Sequence, residues 1–233
     1  MKTNHSAIVL VAALAVGLLF PAAAAASPPA GPDRFGVDFG LGSRLIYTGS
    51  YEFYSENAGL FGGQTGFSWT PAAAGGRLGL DLRLSHSTSS ATNFGVIDTR
   101  LRTTTSTVGA AVFQPIFRDL HVVGRFALGA DLVHSRIDDS LGSSFTAGGL
   151  CPVIEGSLAL ELWVPTYRSG AVHRDLVFRL ESGYGWRPLG VELKRHERKI
   201  KEDDPAPIER IRIDAGKLDL SGIEIRGSLG FRF

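Results

Sequence analysis

The feature that most restricts this chain is its final stretch, Ile223-Glu-Ile-Arg-Gly-Ser-Leu-Gly-Phe-Arg-Phe233. Successive side chains of an extended segment point to opposite faces. Ile223, Ile225, Gly227, Leu229, Phe231 and Phe233 therefore share one face, and Glu224, Arg226, Ser228, Gly230 and Arg232 share the other. Chain ends are usually polar and loosely held. An apolar-faced strand ending on an aromatic needs a partner for its backbone and an apolar surrounding for its greasy side. A closed barrel supplies the first by joining the last strand to the first one, and a bilayer supplies the second.

The same alternation recurs upstream. Residues 35–47 set Phe35, Val37, Phe39, Leu41, Leu45 and Tyr47 against Gly36, Asp38, Gly40, Gly42 and Arg44. Residues 61–70, 77–85, 121–133, 153–164 and 175–186 repeat the pattern, with Leu78, Leu80, Leu82 and Leu84 opposite Arg77, Asp81 and Arg83 as a clear case. Residues 99–113 are weaker, with Leu101, three threonines and Phe113 opposite Arg100, Arg102 and Ser106. Together with the last stretch these predict eight strands. Most run about ten residues or more, whereas soluble strands centre on about five to six and about 9–11 tilted residues cross a bilayer. No run of 18 apolar residues predicts a transmembrane helix.

Composition agrees. Lys plus Arg number 24 and Asp plus Glu 23, and only Lys2 falls in the leader, which leaves 23 against 23. That neutrality argues against a nucleic-acid binder. A single cysteine, Cys151, excludes an intramolecular disulfide and a cysteine-based metal site. Residues 1–26 read as a secretory signal: Ile8 to Phe20 form a short apolar core, Pro21 breaks it, and Ala24-Ala25-Ala26 supplies the cleavage site. Residues 27–34 are a Pro-rich lead-in, and 35–233 carry the strands.

The ending resembles the terminal strand of bacterial outer-membrane β-barrel proteins, and the strand pattern over 35–233 resembles the small barrels typified by outer-membrane proteins A and X. The resemblance implies that Leu229, Phe231 and Phe233 form the assembly signal read by the barrel-insertion machinery. It implies Sec-dependent export to the outer membrane of a Gram-negative cell envelope, with residues 27–34 in the periplasm. The expected fold is all-β: an eight-stranded antiparallel up-and-down transmembrane β-barrel with a polar interior. Connections at 71–76, 114–120 and 166–174 would be short periplasmic turns, and those at 48–60, 86–98, 134–152 and 187–217 longer external loops. Phe35, Trp69, Phe113 and Phe233 would ring one rim, and Tyr47, Phe61, Tyr184 and Trp186 the other.

Under that model nine arginines (44, 77, 83, 100, 102, 125, 179, 226 and 232) face inward opposite Asp38, Asp81, Asp131, Glu155, Glu161, Asp175, Glu181 and Glu224. An eight-stranded barrel is only wide enough for side chains to fill it, and unpaired buried charge is costly. The expectation is a salt-bridged plug without a wide, porin-like pore. Small inward residues such as Gly66 and Gly183 leave room for the long side chains.

The leading functional reading is a structural or surface-interaction barrel acting through its external loops. The last loop holds Lys194, Arg195, Arg198, Lys199 and Lys201, which suit lipopolysaccharide phosphates; the alternative is a solvated hairpin. Tyr51, Phe53 and Tyr54 in the first loop fit either a partner site or packing beneath that loop. The second reading is a lipid A-modifying or proteolytic barrel enzyme. His86-Ser87 and His134-Ser135, with Asp138 and Asp139, carry the residue types of a Ser–His–acid set. Adjacent strand residues point to opposite faces, which opposes a direct Ser–His bond within either pair. A soluble lipocalin-like carrier ranks third. No metal site and no cofactor is expected; the expected partners are outer-membrane lipid and lipopolysaccharide.

Overall fold

The computed structural model of the protein describes residues 33–56, 58–139, 144–169, 172–195 and 217–233, so the signal segment lies outside the described residues. Seven long strands come first: β1 (Arg34–Leu45), β2 (Gly59–Thr70), β3 (Leu78–Asn93), β4 (Ile97–Pro115), β5 (Leu120–Asp139), β6 (Ser144–Ser169) and β7 (Val172–Trp186). Three two-residue strands follow, β8 (Val191–Glu192), β9 (Lys194–Arg195) and β10 (Lys217–Leu218), and β11 (Gly222–Arg232) ends the chain. Each long strand pairs antiparallel with its neighbours, and β11 joins both β7 and β1. The sheet thus closes into an eight-stranded up-and-down barrel. The seam is held to its last residue: Phe35 and Phe233 exchange backbone hydrogen bonds of 2.9 Å in both directions.

Closure turns the apolar faces outward. Phe39, Leu41, Leu82, Leu128, Leu160, Leu180, Ile225 and Phe231 are all exposed, Leu41 by 75%. The charged faces turn inward, so that Arg83, Asp131, Glu155, Glu161 and Glu181 are buried. A lipocalin-like carrier would have the opposite polarity. An apolar belt of this extent on a closed barrel is a lipid-facing surface.

Three expectations change. First, β3, β4, β5 and β6 run 16, 19, 20 and 26 residues, well beyond the roughly 9–11 needed to cross a bilayer. Segments 86–98 and 134–152, expected as loops, are mostly strand, and Phe94–Val96 is a tight turn. Ser- and Thr-rich β-formers such as 85–92 keep pairing after the apolar alternation stops.

Second, β4 faces the other way. Thr99, Leu101, Thr103, Thr105, Thr107 and Phe113 are buried inside, whereas Arg100 and Arg102 are exposed outside. The belt portion fixes this parity: Val108 points to lipid, and Thr105 and Thr107 accept hydrogen bonds from interior arginines. Phe113 therefore leaves the expected aromatic rim for the lumen, while Phe35, Phe233, Tyr47, Phe61 and Trp186 are exposed as a rim requires.

Third, Arg187, expected in a loop, is fully buried in the lumen.

Candidate functional site: the lumen and the outer wall

The lumen is organised in layers. At the end bearing the short turns, Glu161 accepts hydrogen bonds from Arg179, from Arg232 at 3.0 Å and from Trp163 Nε1 at 2.8 Å. The Arg232 guanidinium lies 4.3 Å from the centre of the Trp163 ring and 4.6 Å from that of Phe113, and His121 stacks on Trp163 at 3.9 Å. Cation–π contact and ion pairing together suit a desolvated guanidinium.

In the middle layer Glu181 accepts two bonds from Arg83, at 2.8 and 2.9 Å, and one from Arg226 at 3.0 Å. Glu155 joins Arg226 and Arg125, both at 3.0 Å, and Arg125 reaches Asp81 at 2.7 Å. Above them Glu224 and Asp131 share Arg44 and Arg187, and Arg226 also reaches Glu224. Glu181, Glu155, Glu224 and Asp131 each bridge arginines from different parts of the wall, and Asp81 pairs with Arg125, so the network ties opposite walls together. Glycines make the room. A Cβ on Gly66 would collide with the Asp38 carboxylate, and one on Gly185 with the Arg187 guanidinium.

Over the charged layers sits an apolar one. Leu60 of β2 and Ile46, Tyr51 and Tyr54 of the β1–β2 connection pack with Leu101, Val133 and Cys151 of the tall strands and with Val191, Leu193, Leu218 and Leu220. The first loop is latched by hydrogen bonds from Asn93 Nδ2 (2.8 Å) and Thr99 Oγ1 (2.7 Å) to the Phe53 carbonyl and from Ser135 Oγ to the Tyr54 hydroxyl (3.1 Å). Tyr51 and Tyr54 thus pack under their own loop rather than presenting a surface. Burial pushes both phenols above the ordinary 10.0, and at Tyr54 the Ser135 hydrogen bond pulls the other way.

The sequence-derived site residues are dispersed. His86 and His134 both project from the outer wall, and His86 Nδ1 meets Thr104 Oγ1 at 3.1 Å. Ser135 points inward to Tyr54, so the dipeptide His134-Ser135 makes no Ser–His pair. Neither histidine has a carboxylate partner among the described residues. Lys194 and Arg195 form β9 and pair with Gly148 and Ala147 of β6. Arg198, Lys199 and Lys201 lie outside the described residues. Leu229, Phe231 and Phe233 face outward on the closing strand.

The residues that reasoning from sequence missed are on the tall strands. Outward on β4, Arg102 stands between Thr88 of β3 and His134 of β5, and Arg100 between Ser90 and Arg136. A cavity of about 560 Å³ opens beside them, between the first loop and β3–β4. The parity of Val108, Ala110 and Val112, carried up β4, is the signal that would have found them.

No protein-family model and no curated protein matches the sequence. Solved structures do. Ail, the attachment invasion locus protein of Yersinia pestis, superposes with a TM-score of 0.51 at 13% identity, over 87% of this chain and 99% of that one. Ail in complex with the heparin analogue sucrose octasulfate gives 0.50, also at 13% identity and with the same coverage. A major outer membrane protein from Thermus thermophilus gives 0.50 at 14% identity, over 86% and 99%. At such identities the likeness is one of fold, and the chain has the eight-stranded barrel fold of the small outer-membrane proteins.

Proposed function

We propose that this protein is an integral barrel of the bacterial outer membrane with a structural or surface-interaction role and no open pore. The observation that carries the reading is the polarity of the wall: every long strand but β4 and β2 exposes several large apolar side chains, while the lumen is filled by mutually neutralising arginines and carboxylates. The fold of Ail and of the Thermus protein supports the location. Export by the Sec pathway follows from the leader-like residues 1–26. Leu229, Phe231 and Phe233 would be read by the insertion machinery as the strand is added.

The tall β3–β6 wall, buttressed from within by the first loop, offers a rigid surface beyond the belt. Ail's name assigns that protein to attachment and invasion; a comparable contact role here would use this wall and the last loop. Lipopolysaccharide is the expected lipid partner, with Lys194, Arg195, Arg198, Lys199 and Lys201 as one source of phosphate ligands.

The test is fractionation followed by gel electrophoresis with and without boiling. The protein should sediment with the outer membrane and migrate faster unboiled than boiled, as a detergent-resistant barrel does. Recovery in the soluble periplasm with a single mobility would end the reading.

A further inference from the structure

The outward face of β4 changes character abruptly. Val108 and Ala110 belong to the apolar belt; Ser106 and Thr104 follow, and then come Arg102 and Arg100, both exposed. Neighbouring strands step in the same way. On β5 Leu132 is exposed to 59%, and His134 and Arg136 succeed it on the same face. On β3 Leu84 is followed by His86, Thr88 and Ser90. Register sets these groups side by side, with Thr88, Arg102 and His134 in one row and Ser90, Arg100 and Arg136 in the next.

Charge does not cancel evenly across this patch. Arg136 is bound to Asp138 at 2.9 Å, and Asp98 is held by the Thr92 hydroxyl at 2.7 Å, both toward the tip of the wall. Arg102, nearest the belt, has no carboxylate partner among the described residues. The cavity of about 560 Å³ is lined by Phe61, His86, Thr88, Ser90, Arg100 and Arg102 among others, with no carboxylate in its wall. Two guanidiniums, an imidazole and hydroxyls form a donor set for a phosphate ester there; Arg100 also borders the adjoining cavity that holds Glu56, Asp98 and Asp138, so Arg102 is the guanidinium farther from acids. The size is that of a small-ligand site.

We propose that this groove binds the phosphorylated headgroup of an outer-leaflet glycolipid, with Arg100 and Arg102 as the phosphate ligands. Its position selects a lipid over a soluble anion. The groove lies on the outer face of the wall with Phe61 as an apolar edge, and in the row beneath Arg102 the register sets His86 and Thr104 beside exposed Leu132 and Leu150, with exposed Leu84 following on β3. A headgroup in the groove leaves its acyl chains lying on that belt. The proposal rests on the outer-membrane reading and moves the phosphate site from the last loop to the barrel wall.

The experiment uses the full mature barrel in neutral detergent micelles, with intact folding checked first by heat-modifiable mobility. A fluorescent bis-phosphorylated diglucosamine lipid is titrated by anisotropy, beside its dephosphorylated form and inorganic phosphate as competitor. Wild type should bind the phosphorylated lipid, and the dephosphorylated lipid should bind roughly tenfold or more weakly. The doubly substituted R100Q/R102Q protein should lose affinity by a similar factor while keeping its heat-modifiable mobility, and R100K/R102K should recover part of it. Equal affinity of R100Q/R102Q and wild type overturns the proposal, as does loss confined to K194Q/R195Q. Displacement of the lipid by inorganic phosphate at equal concentration would make this a free-anion site and overturn it too. A wild-type protein without heat-modifiable mobility would instead sink the barrel reading.

Discussion

Arg187 crosses the lumen to Asp131: Nε lies 2.7 Å from Oδ2, and both side chains are wholly shielded from solvent. The pair joins the segment after β7 to β5 and separates the charged layers from the apolar layer above. Removing one partner of such a pair leaves the other charged and desolvated. Arg187→Met should therefore cost about 3 kcal/mol, the low end of the usual range for a broken buried pair, because Arg44 still reaches Asp131 at 3.2 Å. Urea titration in detergent, followed by tryptophan fluorescence, measures the loss. Asp131→Asn combined with Arg187→Met should lose less than the two single losses added, since the pair acts as a unit.

The layers also leave little space for water. Two cavities along the lumen, one beside Asp38 and Arg179 and one beside Arg44 and Glu224, measure about 20 Å³ each, room for about one water apiece. The purified protein should show no stable unitary conductance in planar bilayers. Glu181→Ala with Arg226→Ala removes the mid-lumen bridge at 3.0 Å and should give flickering, small-amplitude events. A steady conductance of the wild-type barrel would mean that the arginines part far enough to form a channel.

The strand count, the closure and the inner charges were legible because lipid and lumen impose opposite demands on alternate residues. The rule fails where the lipid ends. Within the belt an apolar side chain points out; above it the outside is water and the inside is the apolar cap. On β5, Leu132 faces out while Val133 and Ile137 face in, and on β6 Leu150 faces out while Cys151 and Val153 face in. Leu101 on β4 belongs to the upper regime and was read by the rule of the lower one, which inverted Arg100 and Arg102 with it. Arg187 was missed because the apolar alternation stops at Trp186, although Asp175, Arg179, Glu181 and Gly185 already fix odd numbers as inward on β7.

Single cysteines test that inversion directly. In a Cys151→Ala background, Arg102→Cys should react with a membrane-impermeant maleimide in folded protein at close to its unfolded rate. Leu101→Cys, on a side chain with no exposure, should react only after denaturation. Equal rates at the two positions would mean that β4 does not present these alternating faces.

The apolar cap carries its own pH signature through Tyr54. Its phenol is desolvated, which raises its pKa above the ordinary 10.0, and the Ser135 hydrogen bond offsets part of that rise. A pKa higher in the folded state means that the unfolded chain loses its proton first as pH rises. The contribution of Tyr54 is thus complete below about pH 10 and is lost as pH climbs through the folded value. Tyrosinate absorbance should show delayed ionisation of the buried phenols, and urea midpoints should fall over the same alkaline window. Tyr54→Phe keeps the ring among Leu101 and Val133 but removes both the titration and the bond to Ser135 at 3.1 Å. It should flatten that alkaline decline while lowering neutral-pH stability by about 1 kcal/mol, the usual net worth of one hydrogen bond. An unchanged alkaline slope in Tyr54→Phe would assign the decline to other groups, leaving the latch of the first loop insensitive to this phenol.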